Sequence, residues 1–319
     1  HFAPSVIGEL DTLTDKILDN LFDPSTRNIQ LAKKGLVVGQ VQSGKTANYT
    51  GLICKAADAG FNFIIVLAGI HNNLRSQTQV RLDEGFLGFD TEFDRICRTG
   101  NTKKGVGLIP GYDNVIANSY TTSKEKGDFT TKAANTAGFN FDIDYPSILV
   151  VKKNASVLRR LDKWLKIHFE KGTDRIENKS LLLIDDEADH ASINTASSAL
   201  PSTINGLICD ILSRFNRTAY VGYTATPFAN IFIDQDAPKD LFPRDFIINL
   251  PAPTNYVGPE KVFAISINPE DEKNVLLDTA DERVTDKWLE NLKNALDGEK
   301  VDYFMASHFH DDHICLAGG

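Results

Sequence analysis

Several features that would assign this chain to a membrane or secreted class are missing. It contains no run of about 18 apolar residues, so we expect no transmembrane helix and no membrane partner. Its first residues have neither a basic segment nor a long apolar core, so they do not form a signal peptide. The cysteines include no C-x-x-C pair, which indicates reduced thiols and a cytoplasmic location.

A strong positive charge is also missing. The 319 residues carry a formal net charge of −9, which argues against a surface that is basic throughout and built for nucleic acid. A local basic groove is still compatible with this charge, although a solvated helix face is the commoner meaning of such a run. The candidate residues for the groove are Lys152, Lys153, Arg159, Arg160, Lys163 and Lys166. Because the chain begins at His1 rather than Met, we expect a fragment or a processed product.

A phosphate-binding loop is predicted where the chain reads GQVQSGKT, which fits G-x-x-x-x-G-K-[ST]. An apolar strand precedes the loop and a segment with helical spacing follows it. Glycines let backbone N–H groups surround phosphate oxygens, and the helix N-terminus adds partial positive charge. We expect Lys45 to reach the β- and γ-phosphates of ATP and Thr46 to hold Mg²⁺. The predicted ATP-binding residues are Gly39, Gln40, Val41, Gln42, Ser43, Gly44, Lys45 and Thr46.

A second constellation lies at 180–190, which reads SLLLIDDEADH. An apolar strand there delivers acidic residues at its carboxyl end, where doubly wound sheets bind ligands. We expect Asp186 to anchor Mg²⁺ and Glu187 to orient and deprotonate the attacking water. Asp185 is an alternative metal anchor, and a solvated acidic turn is the alternative for the whole segment.

A third segment, Tyr220–Asn230, reads YVGYTATPFAN and ends another apolar strand in small hydroxyl residues. Thr224 and Thr226 are placed to hydrogen-bond to Glu187 or to the γ-phosphate. A β-turn built by Thr226 and Pro227 is the simpler alternative.

Strands and helices alternate along the chain, which predicts a doubly wound α/β fold with a parallel sheet. The predicted divisions are an N-terminal helix in residues 1–26, a P-loop ATPase domain in 27–240 and a short, truncated C-terminal extension in 241–319. Residues 121–145 are rich in Thr, Lys, Asn and Gly, so we expect them to be the least ordered part of the first half.

The three segments together resemble superfamily-two helicases and translocases, whose motifs I, II and III match GQVQSGKT, DEADH and TATP. The longer stretches LAGIHNNLRSQTQVRLDEGFLGF and LLLIDDEADHASINT resemble the Z-one domain of bacterial and phage-defence endonucleases. This resemblance covers roughly residues 10–262. It implies a RecA-like P-loop ATPase of restriction-type, antiviral defence systems that acts on DNA, although no P-D…(D/E)-x-K nuclease signature stands out.

The resemblance also places Asn72, Asn73, Arg75 and Gln77 where helicase motif Ia contacts a nucleic-acid backbone. Arg75 and Gln77 follow a strand tip and can donate hydrogen bonds to phosphate oxygens. Helix capping by Asn72 or Asn73 is the alternative.

One part of the helicase pattern is missing. Superfamily-two motors use a second lobe that carries an arginine finger, yet after Asp240 only Arg244 and Arg283 remain. Neither lies in a Q-x-x-R-x-x-R context. The motor is therefore truncated, or another subunit supplies the finger, and efficient translocation by this chain is in question.

The C-terminal segment contains a separate motif. VDYFMASHFHDDH resembles the opening metal motif of the metallo-β-lactamase fold, with His308, His310, Asp312 and His313 as its ligands. Later ligands of that fold are missing because the chain stops at Gly319. A His-rich tail is the alternative.

Three functions follow from these patterns. The first is a Mg-dependent ATPase domain of a DNA-targeting defence endonuclease. The second is a nucleotide-binding regulatory module without motor activity, which serves a partner nuclease subunit. The third is a metal-dependent hydrolase that uses the C-terminal histidines.

Overall fold

The computed structural model describes residues 4–26, 29–39, 44–95, 102–112, 116–189, 203–227, 240–251, 275–277 and 303–305. Its helices are α1 (Pro4–Asp19), α2 (Lys45–Ala59), α3 (Asn72–Leu82), α4 (Thr131–Asn135), α5 (Ala155–Leu165) and α6 (Thr203–Ser213). Its strands are β1 (Leu31–Val38), β2 (Phe63–Ala68), β3 (Asn118–Ser119), β4 (Ser147–Val151), β5 (Ile176–Asp186), β6 (Phe215–Thr224), β7 (Phe246–Asn249), β8 (Val275–Leu277) and β9 (Tyr303–Met305).

The chain divides into two compact units, His1–Pro253 and Thr254–Gly319. In the first unit, seven strands form one sheet in the order β3-β4-β2-β5-β6-β1-β7, and every neighbouring pair is parallel. The predicted doubly wound α/β fold is therefore confirmed. The described part of the second unit consists of β8 and β9, which pair in parallel.

The strand register brings the carboxyl ends of four neighbouring strands to one edge of the sheet. Val38 pairs with Thr224, Tyr223 pairs with Asp186, and Asp186 pairs with Ala68. Residues that follow these strands therefore share a surface although they are far apart in sequence. This edge contains the described parts of all three sequence constellations.

Each central strand is buried on both faces, so alternate residues enter two separate cores. On β2, Ile64 and Val66 pack with α1 and α2 in one core, while Phe63, Ile65 and Leu67 pack with α5 and α6 in the other. Strands of a parallel sheet with both faces covered have continuous apolar sequences of this kind. The two helical layers hold the sheet rigid behind its carboxyl edge.

Strand β7 extends the sheet beyond residue 240, where the sequence suggested a boundary. It pairs with β1, and Gly35 of β1 lies against the ring of Phe246. A Cβ atom added at Gly35 would lie 2.0 Å from that ring, so glycine is required for this close packing. Leu250 N–H donates to the Val38 carbonyl at 2.7 Å, one residue before the predicted phosphate loop.

Residues 121–145, expected to be the least ordered part of the first half, contribute aromatic side chains to a core. Phe129 and Phe141 pack around Trp164 of α5, and the His168 imidazole stacks on Phe141 with a centroid separation of 4.0 Å. Burial lowers the pKa of His168 below its ordinary value, and the charge of Asp142 opposes this shift. The imidazole is therefore held in its neutral form.

No helix among the described residues is both long and apolar enough to cross a membrane.

We predict that protonation of His168 lowers the free energy of unfolding as the pH falls below about 6.5. The unfolded chain binds a proton there more readily than the folded chain, because the folded-state pKa is depressed. Urea unfolding between pH 7.5 and 5 should show a shallower loss of stability in His168→Phe than in the parent.

The parent and His168→Phe must be compared at each pH, because Asp83 changes the free energy of unfolding with pH in the opposite direction. Burial raises the pKa of Asp83 to about 6, although hydrogen bonds from Gln79 and Thr91 oppose the shift. Its protonation therefore favours the folded state over the same range. Identical slopes in the parent and in His168→Phe would contradict the prediction.

Candidate functional site

The described part of the predicted phosphate loop has the geometry of a turn into a helix. Gly44 is in the left-handed region, with φ 78°, immediately before α2. Gly39 is fixed by a hydrogen bond from its N–H to the Thr224 carbonyl at 2.9 Å, and Lys45 Nζ donates to the Gly39 carbonyl at 3.0 Å. Both glycines therefore occupy positions that suit a phosphate loop. Gln40, Val41, Gln42 and Ser43 lie outside the described residues.

Lys45 lies among the acidic residues that follow β5. Burial lowers the pKa of its ammonium group, while the charges of Asp186, Asp189 and Glu187 oppose that shift, Asp186 most strongly. The lysine and the acidic strand tip therefore lie within electrostatic range of each other, and the roles assigned to them stay predictions. Three carboxylates face one ammonium group, so this edge carries an excess of negative charge that a divalent cation would neutralise.

Asp185 and Asp186 have different environments. Asp185 is fully buried, where Lys153 Nζ lies 2.8 Å from its Oδ1 and the Tyr220 hydroxyl donates to its Oδ2 at 2.8 Å. Asp186 is partly exposed, and the Tyr49 hydroxyl donates to its Oδ2 at 3.3 Å. The buried aspartate is already neutralised by a protein cation. This geometry favours Asp186 over Asp185 as the metal anchor.

Burial raises the pKa of Asp186, and the neighbouring charge of Glu187 raises it further. Lys153, Lys45 and Tyr49 oppose this shift. A carboxylate in this environment gains from a nearby cation, because the cation favours the ionised form.

Glu187 has an unusual backbone conformation. Its φ is 54°, and it is the one residue other than glycine with positive φ among the described residues. Its N–H donates to Asp186 Oδ1 at 3.1 Å, and its carbonyl accepts a hydrogen bond from Lys153 Nζ. Such strain costs about 1–3 kcal/mol and occurs often at functional sites. The side chain is exposed, so its carboxylate can meet a ligand at the sheet edge.

Tyr49 links the two predicted metal ligands. Its phenol is fully buried and interacts with the side chains of both Thr46 and Asp186, while its ring packs edge-on against Tyr223 at 5.5 Å. A hydroxyl oxygen and a carboxylate are hard oxygen donors of the kind that Mg²⁺ binds through one or two protein groups. The donor set therefore fits Mg²⁺. The described residues contain no larger cluster of His, Cys, Asp or Glu suited to a metal.

Thr224 at the end of β6 and Thr226 just after it both bind one acidic residue. Thr224 Oγ1 donates to Asp189 Oδ1 at 2.6 Å, and Thr226 Oγ1 donates to Asp189 Oδ2. Both hydroxyls therefore bond to Asp189 rather than to Glu187, and the alternative contact with a γ-phosphate stays a prediction. These hydrogen bonds join the segments after β5 and β6.

Two of the residues proposed to contact nucleic acid form hydrogen bonds within the protein. Arg75 is fully buried and donates to the Thr122 carbonyl at 3.0 Å, so it is not available to a phosphate. Asn72 accepts a hydrogen bond from Lys152 Nζ at 2.8 Å and caps no helix, since His71 precedes α3 without a side-chain cap. Gln77 is exposed.

The basic run at 152–166 is also divided. Lys153 is buried in its ion pair with Asp185, whereas Arg159, Arg160, Lys163 and Lys166 are exposed on or just after α5. The exposed members retain the sequence-based expectation of a basic surface. His308, His310, Asp312 and His313 lie outside the described residues, so their metal site stays a prediction.

Sequence reasoning did not assign the roles of Tyr49, Lys153 and Asp189. Lys153 was grouped with surface cations, although it follows the end of a buried strand at the ligand-binding edge. This position after a buried strand is the sequence feature that could have indicated the role of Lys153. No pattern in the sequence distinguishes Tyr49 from a core tyrosine, because its role depends on the contact with a strand far away in the chain.

Neither a protein-family model nor a curated protein matches the chain. Similar solved structures include the Aeropyrum pernix ORC2 protein in its ADP form, with 13% identity and a TM-score of 0.35 over 76% of this chain and 47% of that one. They also include the DNA-bound ATP-dependent Type ISP restriction-modification enzyme LlaBIII, with 12% identity and a TM-score of 0.43 over 94% of this chain and 18% of that one.

A third similar structure is Dbp5 of S. cerevisiae bound to RNA and ADP BeF3, with 15% identity and a TM-score of 0.39 over 93% of this chain and 59% of that one. The chain thus spans from about a fifth to about three fifths of the length of these proteins. All three similarities are weak, and the fold is defined by the strand order and register described above.

We predict that Lys153→Ala destabilises the protein by about 3–5 kcal/mol, because it leaves Asp185 as an unpaired buried charge. The free energy of unfolding in urea measures this. Lys152→Ala is the matched control, since it removes the adjacent ammonium group, with its hydrogen bond to Asn72 and its charge interaction with Asp128, and leaves the buried ion pair intact. A loss of less than about 1 kcal/mol for Lys153→Ala would contradict the structural role.

Proposed function

We propose that this chain is a Mg-dependent ATPase domain that binds ATP at the carboxyl edge of its sheet. The observation that carries the proposal is the placement of Lys45, at the start of α2, beside Asp186 and Glu187 at the end of β5. These groups come from distant parts of the sequence. Their convergence supports a site for a triphosphate and its cation.

Each residue has a role that follows from its position. Lys45 would leave the Gly39 carbonyl and neutralise the β- and γ-phosphates, while backbone N–H groups of the loop from Gly39 to Thr46 bind phosphate oxygens. Thr46 and Asp186 would hold Mg²⁺, which supplies neutralisation of charge on the phosphates. Phosphoryl transfer depends mainly on such positioning and electrostatic stabilisation.

Glu187 would act on the nucleophile. Its exposed carboxylate stands at the strand tip, where it can accept a proton from a water molecule aligned with the γ-phosphate. The hydrogen bonds to its backbone N–H and carbonyl fix the direction of the side chain. This arrangement supports Glu187 as the general base and leaves Asp186 to the metal.

The wider function that we propose is a helicase- or translocase-like domain in a DNA-targeting defence endonuclease of the Z-one type. The sequence motifs at 39–46, 186–190 and 224–227 support it, together with exposed cations on α5 that suit a phosphate backbone. Arg75 is excluded from that contact by its burial. The arginine finger would come from a second lobe of a longer protein or from another subunit.

We predict that Glu187→Gln lowers ATP turnover at least about 100-fold, because it removes the general base. The affinity for ATP should stay within about threefold of the parent, since Gln keeps the size and polarity of the side chain. Steady-state hydrolysis and equilibrium binding measure the two quantities. Turnover at the parent rate would contradict the assignment.

Lys45→Ala is the complementary variant. It should weaken ATP binding itself, because it removes the cation nearest to the phosphates. Turnover that survives this substitution would contradict the whole scheme.

The assay with and without DNA separates a motor from a regulatory module. We expect DNA to stimulate turnover if the chain is a translocase-like domain. Turnover unaffected by DNA would instead favour the nucleotide-binding module that serves a partner nuclease. Single- and double-stranded DNA of the same sequence should be compared at low salt, because phosphate contacts weaken as salt rises.

A further inference from the structure

Arg81 contacts the residue proposed to bind the metal. It lies in the last turn of α3, and its Nη1 donates to Thr46 Oγ1 at 3.0 Å. The Arg81 side chain is exposed. Thr46 is in the first turn of α2, directly after the lysine of the phosphate loop.

The packing of the segment after α3 fixes the position of Arg81. Thr46, Thr50 and Cys54 lie four residues apart and so share one face of α2. Arg81 contacts Thr46, a Cβ atom at Gly85 would meet Thr50 Cγ2 at 2.6 Å, and Cys54 Sγ donates to the Gly85 carbonyl at 3.4 Å. The end of α3 and the turn after it therefore lie along α2, and they direct Arg81 towards its N-terminus.

A guanidinium group and Mg²⁺ repel each other when both contact one hydroxyl oxygen. A metal held by Thr46 Oγ1 would lie close to the Arg81 cation, because Arg81 Nη1 is 3.0 Å from that oxygen. At about 4 Å, a divalent and a monovalent cation repel each other strongly even where solvent screens them. The bond from Arg81 must therefore weaken or break when the metal binds.

We propose that Arg81 is a second cation of the nucleotide site, and that it competes with Mg²⁺ for Thr46 and for the phosphates. This inference rests on the proposed ATPase function. Without the metal, the planar guanidinium of Arg81 lies close enough to Thr46 to bind a phosphate oxygen in place of Mg²⁺. Mg²⁺ held at Thr46 would displace Arg81, so the guanidinium would lower the affinity of the site for Mg²⁺.

The proposal predicts a specific linkage. The ratio of the dissociation constant for ATP in EDTA to that in excess Mg²⁺ measures how much the metal strengthens binding. Removing Arg81 weakens the binding of ATP without metal and strengthens it with metal. Both effects raise the ratio. We expect Arg81→Ala to raise it at least about fivefold, the lower end of usual coupling between ligands.

The measurement uses the full chain and a non-hydrolysable ATP analogue in titration calorimetry. Arg81→Lys keeps the charge and should stay within about twofold of the parent ratio. Lys132→Ala is the matched control, because it removes an exposed cation from α4 and should leave the ratio unchanged. If Arg81 only tied α3 to α2, Arg81→Ala would change both dissociation constants alike and the ratio would stay constant.

The outcomes separate this inference from the function on which it rests. A rise of less than about twofold in Arg81→Ala, or a fall, would overturn the role of Arg81 while ATP binding by the parent stands. A parent chain that binds the analogue in neither condition would overturn the proposed function itself.

Discussion

The arrangement of the sheet edge depends on one buried ion pair, between Lys153 after β4 and Asp185 at the end of β5. The same ammonium group donates to the Glu187 carbonyl, so it fixes both the strand end and the turn that follows. Without it, two charges would lie in a dry interior and the acidic segment would lose its support. The position of Asp186 and Glu187 thus follows from the neutralisation of their buried neighbour. The buried Asp185 and the partly exposed Asp186 stand side by side because alternate residues of a strand face opposite sides.

Much of the fold was predictable because it follows from local patterns. The continuous apolar strands, separated by helical segments, indicate a parallel sheet covered on both faces, and the structure has that sheet. The carboxyl-edge rule then places Lys45 and Asp186 together before any coordinate is known. What local patterns do not contain is the strand order. The addition of β7 beside β1 depends on Gly35 and Phe246, more than two hundred residues apart in sequence.

The site was predictable in its residue types and less so in its contacts. The choice between Asp185 and Asp186 needed the burial of Lys153, which from the sequence resembled a surface cation. Arg75 follows a strand tip and looked available to phosphate, yet the segment at 122–124 folds over it and accepts its hydrogen bonds. In both cases a long-range contact decided whether a charged side chain faces water or the interior, and sequence periodicity does not report such contacts.

The left-handed backbone at Glu187 has a consequence for how variants of this protein would be selected. Glycine adopts that conformation without steric cost, so replacing Glu187 by glycine would relieve strain that the parent carries. A search for heat-resistant variants that monitors only folding would therefore favour changes at the residue that we propose as the general base. Such a conflict between thermal stability and catalytic activity is expected wherever the surroundings hold a reactive group in an unfavourable conformation.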